Sequence, residues 1–163
     1  MVEIVKKEDI CKFIHNMLKN SYTIVCIGTY LRSDDRVALE LCNTINIHNI
    51  TTISCEHGLE NCIHEIIEKK LSKLAIFDAA IIEGAELDGI AILSLDELED
   101  THGVSLSSHS IPMNTIVRYL KDELNNVDIL FIAIPVKNLD IGLEMSPEVK
   151  SLLEDVVKCF TYN

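Results

Sequence analysis

The sequence lacks an apolar run long enough to cross a membrane. Its longest apolar stretches, such as Ile129–Val136, have about the length of a strand, far short of the ~20 residues that a membrane-spanning helix needs. No long apolar segment follows the lysines of the first ten residues, as one would in a secretory signal peptide. We therefore expect a cytoplasmic protein that does not insert into a membrane.

A basic patch is also missing. The chain carries 14 lysines and arginines against 26 aspartates and glutamates, a net charge of −12, and the basic residues are scattered singly or in pairs. Proteins hold nucleic-acid phosphates largely through clustered positive charge, so we expect no nucleic acid as partner. The acidic excess would suit a partner segment that carries positive charge.

The six cysteines form no CxxC pair. Most have apolar neighbours in the sequence, so we expect them to pack as small buried hydrophobic side chains in a reducing compartment. The stretch from Cys55 to His64 could instead be a metal cluster, but its spacing matches no zinc module.

Common hydrolase motifs are absent as well. The chain has no GxSxG elbow, no HExxH helix, no phosphate-binding GxxxxGK[ST] loop, and no GxGxxG after its first predicted strand. Catalysis by a serine or cysteine nucleophile therefore has no local support in the sequence.

Apolar runs of strand length alternate with helical patterns along the chain. With 163 residues, 48% of them hydrophobic, the chain fits a single domain spanning 1–163, with an extra N-terminal helix in 1–20. The alternation predicts an α/β three-layer sandwich, in which a mainly parallel twisted sheet of about five strands has helices on both faces. The predicted strands are 22–28, 48–55, 73–79, 88–94 and 127–134. The link before 88–94 is too short for a crossover helix, so that strand should run antiparallel; 96–108 lacks periodicity and should be a mobile loop.

Polar residues follow the predicted parallel strands where ligands bind in open α/β sheets, beyond the carboxyl ends. Asp34 and Asp35 follow the first of these strands, Asp78 ends a later one, and His109 precedes a helix. Simpler structural roles remain open. Asp34 could cap the next helix and Asp35 could favour its dipole, Asp78 could bind loop amides, and His109 could only pack. His57, His64 and His102 are interpreted as bystanders.

Together these side chains predict a metal-binding group. Two carboxylates and one imidazole, with further positions open, suit a borderline divalent metal such as nickel, zinc, iron or manganese. A helix N-terminus next to His109 disfavours imidazolium, which keeps the ring in the neutral state that a metal ligand needs.

Several short segments, in order along the chain, resemble the nickel–iron hydrogenase maturation endopeptidases. They are Gly28 followed by Asp34-Asp35, the segment Gly58–Asn61, Asp78-Ala79, Ser108-His109-Ser110-Ile111-Pro112, and Pro135 followed by Gly142, Met145-Ser146 and Val149. The resemblance extends from about residue 22 to 160. The chain differs from the family pattern at Thr29, Arg36 and Ile134, where asparagine, glycine and glutamine are usual.

The resemblance implies a function. Members remove a C-terminal extension from the hydrogenase large-subunit precursor after nickel insertion, and the substrate carries the nickel, for which other divalent metals can substitute. By position, the implied metal-contacting and catalytic residues are Asp35, Asp78 and His109. The alternatives are a maturation chaperone that binds the precursor without cleaving it, and a metal-dependent hydrolase of small molecules.

Overall fold

The computed structural model describes residues 2–99, 104–106 and 111–162. Across these residues, no helix combines the length and the apolar character that crossing a bilayer would require.

The described residues form a mixed sheet of seven strands. Its order is β1-β5-β7-β4-β2-β3, and the short strand β6 pairs with the end of β4. Strands β2, β3, β4 and β7 are mutually parallel, whereas β1, β5 and β6 each pair antiparallel with a neighbour. The strands are β1 Glu3–Lys6, β2 Thr23–Gly28, β3 Thr52–Glu56, β4 Lys73–Ile82, β5 Gly89–Leu93, β6 Val104–Leu106 and β7 Asp128–Pro135.

Helices cover both faces of the sheet, so the predicted three-layer α/β sandwich is confirmed. On one face α1, α2 and α6 pack together, and on the other α5 contacts α3 and α4. Each face has its own hydrophobic cluster of buried side chains. The helices are α1 Ile10–Lys19, α2 Val37–Ile47, α3 Ile63–Glu68, α4 Leu95–Glu99, α5 Met113–Glu123 and α6 Pro147–Thr161.

The sequence pattern explains these elements. In α1 the apolar Ile10, Ile14 and Met17 recur every three or four residues and are buried, as expected for a helix with one face on a core. Strand β2 is instead buried almost throughout, from Ile24 to Gly28, because parallel strands are covered on both faces. Helix α6 begins with a proline, whose fixed φ suits the first helical position.

Three local predictions need correction. Residues 1–20 contain strand β1 as well as helix α1, and 96–108 contains the end of α4 and strand β6 rather than only a loop. Strands as short as β1 and β6 give too few alternating positions to be seen in a sequence. The strand at 88–94 runs antiparallel as predicted, but it pairs with β7 and β1 rather than with its predecessor.

The prediction that the cysteines are unpaired was wrong, whereas most of them are buried as predicted. All six cysteines are paired, as Cys11–Cys159, Cys26–Cys42 and Cys55–Cys62. The pairs join α1 to α6, β2 to α2, and β3 to the 3₁₀ turn Leu59–Cys62. Partners that lie 148 residues apart meet only through the tertiary fold, so their spacing gave no signal. The pairing of Cys55 with Cys62 also removes both thiols from the alternative metal cluster.

Candidate functional site

Asp35 lies where β2 ends at the carboxyl edge of the sheet. It belongs to the 3₁₀ turn Ser33–Arg36, which leads into α2, and only 2% of its surface is exposed. Gly28, the last residue of β2, lies so close that a Cβ there would come within 2.1 Å of the Asp35 carbonyl oxygen. Only glycine fits at position 28, and this close approach fixes the backbone at Asp35 against the end of the strand.

Asp78 is fully buried on β4, next to β2 in the sheet. One carboxylate oxygen accepts a 2.8 Å hydrogen bond from the Ala79 amide. The predicted strand ended near this residue, but β4 continues to Ile82 because β7 and β6 go on pairing with it. The pairing of β4 with β2, by contrast, stops at Phe77, so Asp78 is the first β4 residue beyond that pairing.

Asp34 does not have the predicted helix-capping role. No side chain caps the start of α2 or of the preceding 3₁₀ turn. The fully buried Asp34 carboxylate instead accepts hydrogen bonds from a different segment, the one between β7 and α6. The donors are the Lys137 amide at 3.0 Å, the Asn138 amide at 2.9 Å, and the Ser146 amide and hydroxyl at 2.6 and 2.9 Å.

The loops that follow β2 and β7 are joined by backbone hydrogen bonds as well. The Gly142 amide donates to the Leu31 carbonyl and the Ser33 amide donates to the Gly142 carbonyl, each at 2.9 Å, which makes a parallel bridge between Arg32 and Gly142. A Cβ at Gly142 would come within 2.7 Å of the Ser33 hydroxyl oxygen. We call these two loops, 31–36 and 137–146, the carboxyl-edge brace.

Arginine side chains complete the carboxyl-edge brace. Arg32 Nε donates to the Leu139 carbonyl at 2.9 Å, and Arg36 donates to the Leu143 carbonyl at 2.6 Å. Arg36, which replaces the glycine usual after the acidic pair, also forms a 2.9 Å ion pair with Glu40 and lies 5.1 Å from the centre of the Tyr30 ring. Its charge is therefore directed along α2 and into the brace.

His109 lies outside the described residues, as does His102. The flanking positions that are described are Leu106, which ends β6 opposite Ala80 of β4, and Ile111, just before α5. Of the predicted trio, the structure therefore locates Asp35 and Asp78. The 3₁₀ turn of Asp35 contacts β4, with Cα atoms within 8 Å.

A family model for hydrogenase maturation proteases matches residues 31–162. The chain belongs to this family. The match covers the carboxyl-edge brace, β4, α5 and α6, and so includes Asp35 and Asp78. Family members are peptide hydrolases of hydrogenase maturation, which agrees with the predicted enzyme class.

Individual relatives agree with the family match. A Methanocaldococcus jannaschii protein, provisionally assigned as a hydrogenase maturation protease, is 28% identical over 146 residues, covering 82% of this chain and 83% of its own length. The crystal structure of the [NiFe] hydrogenase maturation protease HycI from Thermococcus kodakarensis superposes with a TM-score of 0.72 at 21% identity, covering 93% of this chain and 99% of that one. The solution structure of the Escherichia coli endopeptidase HycI gives 0.68 at 21% identity, covering 85% and 88%. The structural matches confirm the fold.

Other candidate ligands of this maturation-protease family member do not assemble. Within the described part of the chain, no three His, Cys, Asp or Glu side chains form a group that could hold a metal ion. The His64 side chain is 95% exposed and lies 3.6 Å from Glu68 on α3. His57 contributes its backbone amide, which donates to the Gly28 carbonyl at 2.8 Å.

An exposed ion pair joins the carboxyl-edge brace to α6. Lys137 forms a 2.8 Å ion pair with Glu148 in the first turn of α6, and this hydrogen bond lowers the pKa of Glu148. Both side chains are about half exposed, so the pair contributes little to stability.

The strong polar contact of this region is made by the buried Asp34. The sequence suggested only a local capping role for it, because no sequence pattern reveals a contact between residues that lie more than 100 positions apart.

Proposed function

We propose that this protein is an endopeptidase that removes the C-terminal extension of a nickel–iron hydrogenase large-subunit precursor after nickel insertion. Membership of the hydrogenase maturation protease family supports this. The observation that carries it is the burial of two carboxylates, Asp35 and Asp78, where β2 and β4 reach the carboxyl edge of the sheet. We further propose that the chain acts as one domain in the cytoplasm.

The position of these two buried acids supports a function at the carboxyl edge. Taking a carboxylate out of water is unfavourable unless a cation or several donors compensate for the lost hydration. Asp34 shows how a purely structural acid is accommodated here, with four donors from one loop. Asp35 and Asp78 are also buried, and they come from different chain segments toward the edge where ligands bind in such sheets.

His109 is the proposed third member of the site. Covalent geometry keeps it within about 11 Å of Leu106, which lies opposite Ala80, two residues from Asp78 along β4. It also lies two residues from Ile111, at the N-terminal end of α5. Both described flanks lie toward the carboxyl edge, which supports the role of His109 that the resemblance implies.

The proposed chemistry uses the metal that the substrate carries. Two carboxylate oxygens and one imidazole nitrogen are suitable contacts for nickel, which accepts nitrogen and oxygen ligands. In this proposal Asp35, Asp78 and His109 recognise the nickel of the precursor and so place the scissile peptide bond beside it. A metal next to that bond polarises its carbonyl or activates water for attack. Cleavage then depends on nickel having been inserted first.

The test is an incubation of purified protein with matched precursors, one loaded with nickel and one kept free of it. We expect intact-mass spectrometry to show loss of the C-terminal extension from the nickel-loaded precursor only. Cleavage of both forms at the same rate would contradict recognition of nickel. Tight binding of the loaded precursor without cleavage would contradict the peptidase and indicate a chaperone.

A further inference from the structure

Exposed hydrophobic side chains concentrate at the carboxyl edge of the sheet. Among the described residues nine large hydrophobic side chains are exposed, and five of them lie on segments at this edge: Leu31, Ile81, Ile111, Ile141 and Leu143. Of these five, the three most exposed belong to the carboxyl-edge brace, with Leu31 at 58%, Ile141 at 91% and Leu143 at 70%. A cluster of such side chains commonly marks a surface that contacts a partner.

The backbone of the brace holds these three side chains outward. In the parallel bridge between Arg32 and Gly142, Leu31 lies beside Ile141 by register. Ile141 and Leu143 flank the bridge residue Gly142, and both side chains are largely exposed to solvent. Hydrogen bonds of Asp34 and of the two arginines fix the backbone of the 137–146 loop. The side chains therefore form a preorganised surface, which lowers the entropy lost when a partner binds.

We propose that Leu31, Ile141 and Leu143 form the docking surface for an extended segment of the large-subunit precursor next to its cleavage site. We call these three side chains the apolar platform. This inference rests on the proposed function, since it assigns the precursor as the occupant. Leu31 is four residues before Asp35 on the same loop, so a segment that binds this apolar platform lies beside the proposed nickel-recognition site. The platform thus supplies affinity while the acids supply recognition of nickel.

Charge identifies the character of the docked segment. Asp140 and Glu144 are on the loop that carries Ile141 and Leu143, and the Asp140 side chain is exposed. The basic side chains of the brace are engaged within the protein: Arg32 with the Leu139 carbonyl, Arg36 with Glu40, and Lys137 with Glu148. The platform therefore combines aliphatic side chains with negative charge, and it suits a precursor segment in which apolar residues alternate with lysine or arginine.

The test compares Ile141→Ser/Leu143→Ser with Ile47→Ser, using the nickel-loaded precursor as probe. Ile47 is 79% exposed but ends α2, at the opposite edge of the sheet. Each replaced side chain is largely exposed in the free protein, so neither variant should change the unfolding midpoint. We expect the double variant to raise both the Kd and the KM for the precursor about 10- to 100-fold, because the two serines bury far less apolar surface against the docked segment. We expect kcat within about twofold of wild type, because uniform binding is what is removed. Ile47→Ser should match wild type in all three.

The possible outcomes separate the platform from the peptidase. Unchanged Kd and KM in the double variant, with normal cleavage by wild type, would overturn the platform and leave the function standing. Loss of precursor binding by the double variant, while wild type binds without cleaving, would support the platform and overturn the peptidase. Failure of wild type to bind the precursor would overturn both. A wild-type dimer that becomes monomeric in the double variant, seen by sedimentation, would assign the platform to a second copy of the chain and overturn the proposed occupant.

Discussion

Polar side chains are at least partly exposed at the amino edge of the parallel strands, whereas three carboxylates are buried at the carboxyl edge. At the amino edge, Tyr22 donates a hydrogen bond to Asp128 at the start of β7, and Lys73 at the start of β4 lies 5.4 Å from the centre of the Tyr22 ring. Asp128 is exposed, and Tyr22 and Lys73 are partly exposed. At the carboxyl edge, Asp34, Asp35 and Asp78 are all at most 2% exposed.

The exposed polar contacts at the amino edge and the buried carboxylates at the carboxyl edge therefore differ in energetic cost. Exposed contacts such as Tyr22–Asp128 remain hydrated and are worth little whether formed or broken. A buried carboxylate, by contrast, destabilises the folded protein unless hydrogen-bond donors or a cation compensate for its lost hydration. Three such carboxylates lie at the carboxyl edge, where ligands bind in open α/β sheets. Asp34 is held there by four donors, whereas Asp35 and Asp78 belong to the proposed site.

The largest expected difference between the two edges is in processing of the precursor. The acids of the carboxyl edge should be needed for it, and those of the amino edge should not. We expect Asp35→Asn and Asp78→Asn each to slow processing of the nickel-loaded precursor by at least about 100-fold, since each removes a charged group that the proposed mechanism places at the reacting centre. His109→Ala should have an effect of the same size. The measurement is the rate of loss of the C-terminal extension, followed by mass.

Asp128→Asn at the amino edge is the matched control, and it should process at the wild-type rate. Circular dichroism should show all four variants folded. If the Asp35, Asp78 and His109 variants processed the precursor at the wild-type rate, the assignment of these residues to the site would be wrong. The family membership would still stand.

The second prediction concerns stability. Asp34→Ala leaves four donors of the 137–146 loop without their acceptor, so we expect it to lower the free energy of unfolding by about 3–5 kcal/mol. Asp34→Asn, which keeps an acceptor oxygen but not the charge, should lose less. Urea unfolding followed by circular dichroism measures both, with Asp128→Ala as the amino-edge counterpart. If Asp34→Ala lowered the free energy of unfolding no more than Asp128→Ala does, the buried hydrogen bonds of Asp34 would contribute no more to stability than the exposed contact of Asp128.

The third prediction asks whether the strands near the carboxyl edge are also secured covalently. The Cys26–Cys42 disulfide ties β2 to α2 across a sequence separation of 16, and a loop of this length corresponds to about 3 kcal/mol of stabilisation. We expect Cys26→Ala/Cys42→Ala to lose about that amount in urea unfolding under oxidising conditions. The loss should shrink when both proteins are measured with a reducing agent. Alkylation of all six cysteines in unfolded, unreduced protein would contradict the pairing.

The smallest expected effect is at the amino edge. The hydrogen bond to Asp128 raises the pKa of Tyr22 to about 12, from 10.0. Since the folded-state pKa is the higher one, the stabilisation is complete below pH 10 and is lost as the pH rises toward 12. For this partly exposed pair we expect a loss below about 1 kcal/mol. The comparison of wild type with Tyr22→Phe in urea unfolding at pH 9 and pH 11.5 tests it, and equal differences at both pH values would contradict the assignment.

Periodic patterns made most of the fold predictable, and contacts between distant segments account for what was missed. Helices such as α1 and α6 repeat apolar residues every three or four positions, and β2 and β7 are continuous apolar runs; both signals are local. Strand β1 and the three disulfides depend on which segments the topology makes neighbours. The same limit explains Asp34, whose partners lie more than 100 residues away. The candidate acids Asp35 and Asp78 could be selected because strand ends mark where ligands bind.

The Cys11–Cys159 disulfide has a consequence for the integrity of the protein in a proteolytic environment. It connects two outer helices across a sequence separation of 148, so the intervening polypeptide forms a closed covalent ring. A single break anywhere within that ring leaves all the pieces in one molecule. On a non-reducing gel, a sample nicked once in the ring would still run as a species of full mass, and two fragments would separate only after a thiol is added.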